Sequence, residues 1–309
     1  MRRVCLNAVH ELACESDQVV FIGSDLGPGT LDKMYQEFPD RFIMEGISEQ
    51  HIIGMSAGMA MEGYIPYVNT IAPFLTRRGY EQIAMDICLH DLPVRLIGNG
   101  GGVVYAPLGP THLATEDIAI MRALPNMTIV APCDADEMHR FMMKTLEWPH
   151  PIYIRLAKGG DEIISRDDLG FEIGKSILMR DPGEHLFIST GVMTQLALQA
   201  AERLHSEGIL CGVLHMHTIK PLDDEMLFNL LPQLTTIVTV EEHTRIGGLS
   251  SAILEFISDC SIKSTPVVRR VGIPDKFSEK YGSQSSLLSH WGIDVDGLCS
   301  KMKETINIT

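Results

Sequence analysis

The chain has 309 residues, a length that suits two domains of roughly 150 residues each. Hydrophobic residues make up 45% and charged residues 21% of the sequence, values typical of a soluble globular protein, which exclude disordered and fibrous architectures. The 25 lysine and arginine residues stand against 40 aspartate and glutamate residues, and the net charge of -15 argues against the concentrated basic face of a nucleic-acid-binding protein.

The sequence also argues against a membrane protein. No apolar run approaches the ~18 residues of a membrane span. Near the amino terminus, acidic residues interrupt the apolar stretch before a signal-peptide core forms, so a cytoplasmic protein is predicted. The seven cysteines show no CxxC or CxxH spacing, which indicates free, mostly buried thiols rather than a zinc site or a redox pair.

Short β-rich runs alternate with longer helical runs in the first half of the chain. In chain order, strands are predicted at residues 19–22, 65–68, 93–97, 128–131 and 151–155. Helices are predicted between them at residues 48–62, 75–89 and 134–146. The helix at 75–89 has the i, i+3, i+4, i+7 spacing of one apolar face, carried by Tyr80, Ile83, Ala84 and Ile87.

The alternation resumes after a segment rich in charge and glycine, within which we place a linker at residues 166–177. Strands are predicted beyond it at 185–189, 212–216 and 236–240, and helices at 223–231 and 249–257. One more helix has an apolar stripe formed by Met193, Leu196, Ala197, Ala200, Ala201 and Leu204. Because strands separated by helices form βαβ units, the predicted fold class is α/β, with two doubly wound, mostly parallel domains at residues 1–165 and 178–309.

Two segments of the first half follow predicted strands, where open parallel sheets bind their ligands. They are Glu45-Gly46-Ile47-Ser48-Glu49-Gln50-His51 and the glycine-rich loop that ends in Gly109-Pro110-Thr111-His112. Each segment also has a simple structural explanation. Ser48 and Glu49 suit the start of any helix, and His112 suits an exposed loop.

The order and spacing of several motifs together point to one family. Phe74-Leu75-Thr76-Arg77-Arg78-Gly79-Tyr80 and Ile154-Arg155 join the two segments above. This set resembles the pyrimidine-binding domain of thiamine-diphosphate enzymes such as transketolase and 1-deoxyxylulose-5-phosphate synthase. The second half resembles the transketolase C-terminal domain in Lys220-Pro221-Leu222-Asp223, Val240-Glu241-Glu242-His243, Gly247-Gly248 and Gly272-Ile273-Pro274-Asp275.

The resemblance implies roles for individual residues in the first half. Glu49 is implied to be the carboxylic acid that hydrogen-bonds the N1' atom of the cofactor's pyrimidine. Phe74 is implied to stack on that ring and Tyr80 to line the same pocket, while Arg77 stands where some transketolases have another aromatic residue. His112 is implied to act on the substrate as a hydrogen-bond donor or proton shuttle. The resemblance also implies that Arg155 contacts the anionic end of the substrate.

One motif of the family is missing. Transketolases bind the diphosphate of the cofactor through Mg²⁺ at a Gly-Asp-Gly segment, and the sequence contains no Gly-Asp-Gly. The resemblance therefore implies a separate partner subunit that holds the diphosphate and the metal, and no metal ligand is predicted in this chain. The expected assembly is an α2β2 heterotetramer of a split transketolase, with this chain as the smaller subunit.

Three positions bear on the substrates, which the resemblance implies to be ketose and aldose sugars exchanging a two-carbon ketol unit. Leu108 replaces an aspartate that contacts a donor hydroxyl in the family. Gly29 stands where transketolases have a serine that helps to hold an acceptor phosphate, and Arg2 matches a phosphate-contacting arginine. These departures predict a modified or unusual ketose as donor.

Two other functions remain open from the sequence. The β subunit of a 2-oxo acid dehydrogenase has the same two domains and a separate partner, and a non-catalytic paralogue would keep the fold alone. The Gly-Pro-Thr-His motif and the Phe-Leu-x-Arg run favour a transketolase. The joint presence of Glu49, Phe74 and His112 argues against a non-catalytic chain.

Overall fold

The computed structural model describes residues 1–24, 30–260 and 264–308, which form two α/β units. Each unit is built on one sheet, of seven strands in the first and five in the second, and parallel pairs predominate in both. The predicted fold class is thereby confirmed. Across the described ranges, no helix combines the length and the apolar character that crossing a membrane requires.

The strands are short and mostly buried. In chain order they are β1 Val19–Gly23, β2 Phe42–Met44, β3 Ile65–Ile71, β4 Arg95–Asn99, β5 Thr128–Val130, β6 Ile152–Leu156, β7 Ile177–Arg180, β8 His185–Ser189, β9 Cys211–His215, β10 Thr218–Lys220, β11 Thr236–Thr244 and β12 Val267–Ile273. The order across the first sheet is β10-β5-β6-β4-β3-β1-β2, and across the second β12-β11-β8-β9-β7. Every residue of β1, β4 and β6 is buried, as expected of central strands covered on both faces.

The helices cover both faces of the sheets. They are α1 Arg2–Glu15, α2 Asp32–Glu37, α3 Glu49–Met61, α4 Ala72–Arg78, α5 Tyr80–Gln82 with a π-helical turn Ile83–Cys88, α6 Asp117–Arg122, α7 Ala135–Lys144, α8 Met193–Ser206, α9 Asp224–Leu230, α10 Leu249–Asp259, α11 Gln284–His290 and α12 Val295–Ile306. Short 3₁₀ turns lie at Pro39–Arg41, Ala106–Leu108, Pro110–His112, Asp167–Leu169 and Leu231–Gln233. Most of the predicted apolar stripe of α8 is buried.

The helix predicted at 75–89 is broken into α4, α5 and the π-helical turn, and the break lies at Gly79. A side chain there would collide with the buried Ile53 of α3 and would lie 3.1 Å from the Leu75 carbonyl oxygen. Glycine therefore lets α3 approach closely, and the helix interruption follows from this contact.

The second half of the chain contributes a strand to the first sheet. β10 pairs antiparallel with β5, through Thr218 opposite Val130 and Lys220 opposite Ile129. The Lys220 ammonium group donates to the carbonyl oxygens of Arg122 and Leu124, at 2.9 and 2.5 Å. The division at residues 166–177 assigns this strand to the second domain, although it completes the sheet of the first.

Candidate active site

The residues of the candidate site follow the strands β2, β3 and β4 of the first sheet. The loop after β2 leads to Glu49, the first residue of α3. Strand β3 runs directly into α4, which carries Phe74, and the loop after β4 carries His112. Because these strands are parallel neighbours or share a neighbour, their carboxyl ends meet at one edge of the sheet.

The Glu49 side chain is buried, with 5% of it exposed, and it pairs with an arginine that the sequence analysis did not single out. Arg78 Nη1 donates to both carboxylate oxygens of Glu49, at 3.0 and 3.1 Å. The helix start also favours a negative charge at Glu49. The Ser48 hydroxyl donates to the Glu45 carbonyl oxygen at 2.8 Å, and its side chain does not cap the helix.

Arg78 also connects Glu49 to the two predicted aromatic residues. The carbon at the centre of its guanidinium lies 4.1 Å from the centroid of the Phe74 ring, a cation–π distance. The His112 ring meets Phe74 edge-on, with centroids 5.1 Å apart. The structure therefore brings Glu49, Phe74 and His112 together in one line of contacts, through Arg78.

The i, i+4 spacing of Phe74 and Arg78 on α4 was the signal in the sequence for this contact, because side chains four residues apart share a helix face. A cavity of about 380 Å³ lies beside the pair of Glu49 and Arg78. Its lining consists of Ile47, Ser48, Glu49, Gln50, His51 and Arg78. A small planar group with N–H donors is the kind of ligand that a buried carboxylate and an aromatic face accommodate.

Arg77 and Tyr80 have their polar groups engaged elsewhere. The Arg77 guanidinium pairs with Glu116, with Nη2 2.9 Å from Oε2, and donates to the Leu113 carbonyl oxygen at 2.8 Å. The Tyr80 hydroxyl donates to the Ile120 carbonyl oxygen at 3.1 Å. We therefore revise the predicted cofactor contacts of both residues: Arg77 ties α4 to the loop that follows His112, and Tyr80 ties α5 to α6.

Arg155 lies in a buried ion pair rather than at an open surface. Its Nε donates to Asp117 at 2.8 Å, and its Nη2 donates to the Glu242 carbonyl oxygen at 2.8 Å. Burial opposes the charge on Asp117, but the Arg155 guanidinium outweighs it and holds the pKa of Asp117 below its usual value. The predicted contact of Arg155 with a substrate is corrected, because 8% of the side chain is exposed and its donors join the two halves of the chain.

The three residues predicted to read the substrate have different outcomes. Leu108 ends a 3₁₀ turn of the loop that carries His112, and 53% of it is exposed. Arg2 lies in the first turn of α1, whose start packs near Gly159, beyond the carboxyl end of β6. Arg2 thus lies at the same edge of the sheet, and its contact with phosphate stays a prediction. Gly29 lies outside the described residues.

Potential metal ligands cluster away from these residues. Among the described residues, two groups of three side chains place ligand atoms within 4.8 Å of one another, namely His10-Cys14-Glu37 and Cys133-Glu137-His215. In the buried second group, Glu137 already accepts from the Cys133 backbone N–H at 2.6 Å and lies 2.9 Å from His215 Nε2. This group is a structural contact between the two halves of the chain.

Comparison with known proteins assigns both halves to one family. Residues 1–160 match the transketolase pyrimidine-binding domain, and residues 174–298 match the transketolase C-terminal domain. One of the two chains of an apulose-4-phosphate transketolase from Phocaeicola vulgatus is 33% identical over 307 residues, covering 99% of this chain and 97% of the relative. A 1-deoxy-D-xylulose-5-phosphate synthase of Syntrophus aciditrophicus is 34% identical over 305 residues, covering 98% of this chain and 46% of the synthase.

A solved structure gives the same assignment. It is a split gene transketolase in an inactive beta4 tetramer, and it matches with a TM-score of 0.89 and 33% identity. The match covers 99% of this chain and 97% of the solved chain. The similarity therefore extends over both units and includes their arrangement.

Proposed function

The chain belongs to the transketolase family, and we propose that it is the pyrimidine-binding subunit of a split transketolase that transfers a two-carbon ketol unit between sugars or sugar derivatives. The line of contacts from Glu49 through Arg78 and Phe74 to His112 carries this proposal. It supplies a buried carboxylate, an aromatic face and a histidine at the edge of the sheet where the family's chemistry takes place.

These residues fit the pyrimidine of thiamine diphosphate. The guanidinium of Arg78 stands in for such a ring, because it is planar, donates N–H groups to Glu49 and lies against the face of Phe74. A planar, nitrogen-rich group therefore has room between the carboxylate and the aromatic ring. Thiamine diphosphate, when bound, supplies the carbon nucleophile for ketol transfer.

Glu49 would hold a proton at the ring nitrogen of the pyrimidine. Its side chain is almost fully shielded from water, so a ring nitrogen bound there would have the carboxyl group as its partner. A buried hydrogen bond of this kind is strong because the local dielectric constant is low. The position at the start of α3 fixes the carboxyl group on a rigid element.

His112 would act on the substrate from the neighbouring loop. Its ring is half-buried against Phe74, and its Nδ1 lies 2.9 Å from the Thr111 hydroxyl. That hydrogen bond and the aromatic contact orient the ring and leave Nε2 for a substrate oxygen. An oriented N–H donor stabilises negative charge that develops on such an oxygen in the transition state.

The comparisons support a separate chain for the diphosphate and Mg²⁺. This chain covers 97% of the transketolase relative, whereas it covers 46% of the synthase. Since the sequence also lacks a Gly-Asp-Gly segment, we assign the diphosphate and the metal to a partner subunit, in an α2β2 assembly. The inactive beta4 tetramer of the solved relative is consistent with a need for the other subunit.

The test of this function is ketol transfer by the complex of the chain with its partner subunit. Glu49→Gln should lower turnover by about 10²–10⁴-fold while leaving the fold intact, because an amide cannot exchange a proton with the ring nitrogen. Glu45→Gln is the matched control: it makes the same charge change on the same loop, at a side chain that is 43% exposed. A Glu49→Gln complex as active as the control, or a wild-type complex that transfers no ketol unit, would contradict the proposal.

A further inference from the structure

Arg78 occupies the place that the proposed cofactor requires. We propose that Arg78 is a gating residue of the cofactor site, which covers Glu49 and Phe74 and must turn away before the pyrimidine ring can bind. The inference rests on the proposed function and adds to it a competition between this side chain and the cofactor.

The geometry makes the two occupants mutually exclusive. Arg78 Nη1 is shared between both carboxylate oxygens of Glu49, at 3.0 and 3.1 Å. The same guanidinium lies 4.1 Å from the Phe74 centroid and so covers this face of the ring. A pyrimidine that stacks on Phe74 and hydrogen-bonds Glu49 needs the same face and the same oxygens.

The two members of the ion pair differ in their access to water. Glu49 is 5% exposed, so its carboxylate needs a partner at all times. Arg78 is 48% exposed, so its guanidinium can return to water when another donor takes its place. Arg78 therefore suits a replaceable partner, which keeps the buried carboxylate satisfied and then yields to the cofactor.

The neighbouring arginine shows that this arrangement is specific to one position. Arg77 is held by Glu116 and by the Leu113 carbonyl oxygen, on the side of the loop that follows His112. Arg78, in contrast, contacts the two residues to which the cofactor's pyrimidine is assigned. Two adjacent arginines on α4 thus serve different purposes, one anchoring a loop and one gating the site.

The experiment measures thiamine diphosphate affinity, with Mg²⁺ present, by calorimetry on the complex with the partner subunit. Arg78→Ala should bind the cofactor about tenfold more tightly than wild type, because the competing ion pair is gone. Arg78→Gln keeps an N–H donor for Glu49 without the charge, and its affinity should lie between the two. Arg166→Ala removes a charge from a side chain that is 64% exposed, and it should bind like wild type.

A double variant separates competition from a general charge effect. In a Glu49→Gln background, Arg78 loses its charged partner, so the further change Arg78→Ala should not tighten binding. Unchanged or weaker binding by Arg78→Ala in the wild-type background overturns the gating role and leaves the proposed function standing. A wild-type complex that does not bind the cofactor overturns the proposed function itself.

Discussion

His112 and Phe74 form the part of the site that faces the substrate side, and their contact allows binding and chemistry to be separated. The two rings meet edge-on, whereas the carboxylate of Glu49 lies beyond Arg78. A change at His112 should therefore affect the reacting substrate more than the cofactor. The following prediction uses this difference.

His112→Ala should lower kcat by about 10²–10³-fold, the usual effect of removing one oriented donor to a developing oxyanion. The dissociation constant of thiamine diphosphate should change little. Steady-state kinetics and calorimetry on the complex with the partner subunit check both values. A loss of cofactor affinity as large as the loss of kcat would instead place His112 in the cofactor pocket.

Leu108 offers a test of donor recognition, because it is exposed in the same loop and has no polar atom for a sugar hydroxyl. Leu108→Asp should shift preference towards ordinary ketose phosphates such as xylulose 5-phosphate, or impair the native donor through an unpaired charge. The measurement is kcat/KM for a panel of ketoses in both proteins. Identical donor profiles would show that Leu108 does not face the substrate.

At this scale, the sequence identified which residue types matter and missed their partners. The motifs located Glu49, Phe74 and His112, and the structure brings these three together. The partner of Arg155 could not be predicted, since Asp117 lies on a distant segment and gave no local signal. The choice of Arg78 over Arg77 depends on the direction of each side chain around α4, which a linear motif does not specify.

Among the elements, α3 and α4 set the spacing of the site, since one begins at Glu49 and the other carries Phe74. They approach each other at Gly79, where a side chain would collide with Ile53. Gly79→Ala should destabilise the protein by about 1–3 kcal/mol through overpacking and should weaken cofactor binding by separating the two helices.

Urea unfolding and calorimetry test the Gly79→Ala variant against a matched change in α3. Gly58 has open space around its Cβ position, so Gly58→Ala should stabilise the helix by up to about 1 kcal/mol. Opposite signs for the two glycine-to-alanine changes are expected. Similar effects from both would contradict the close approach at Gly79.

The strands that alternate with helices were predictable, and the edge strands were not. Predictions for the central strands agree with β1, β4 and β6 to within about two residues, because buried parallel strands are continuous apolar runs. The strands β2 and β10 have three residues each, too few for a pattern. The pairing of β10 with β5 joins segments far apart in the sequence, and local periodicity carries no information about it.

Across the whole molecule, a buried carboxyl group joins the two halves. Glu242 of β11 accepts from the Val103 backbone N–H at 2.8 Å and from the Gln284 amide at 2.9 Å. Burial raises the pKa of Glu242 to about 7, although Arg155 opposes this shift. The junction is therefore expected to respond to pH.

The sign of this response follows from proton binding. With a folded-state pKa of about 7 against an ordinary value of 4.5, the folded state binds the proton more tightly than the unfolded state. The stability from Glu242 is fully present below pH 4.5 and is lost as the pH rises to about 7, by up to about 3 kcal/mol.

Glu242→Gln removes this titration, so its free energy of unfolding relative to wild type should increase as the pH rises from about 4.5 to 7. Urea denaturation at a series of pH values measures the difference. Glu225→Gln, at a side chain that is 75% exposed, should follow the wild-type curve. A constant difference between Glu242→Gln and wild type across this range would contradict the shifted pKa.

The central claim is that this chain provides one half of a cofactor site that a second chain completes. Calorimetric titration with thiamine diphosphate and Mg²⁺ tests it most directly, first on this chain alone and then on its mixture with the partner subunit that carries a Gly-Asp-Gly segment. The account predicts no tight binding by the chain alone, because it lacks the oxygen ligands for the metal, and submicromolar binding by the mixture. Submicromolar binding by the chain alone, or none by the mixture, would contradict it.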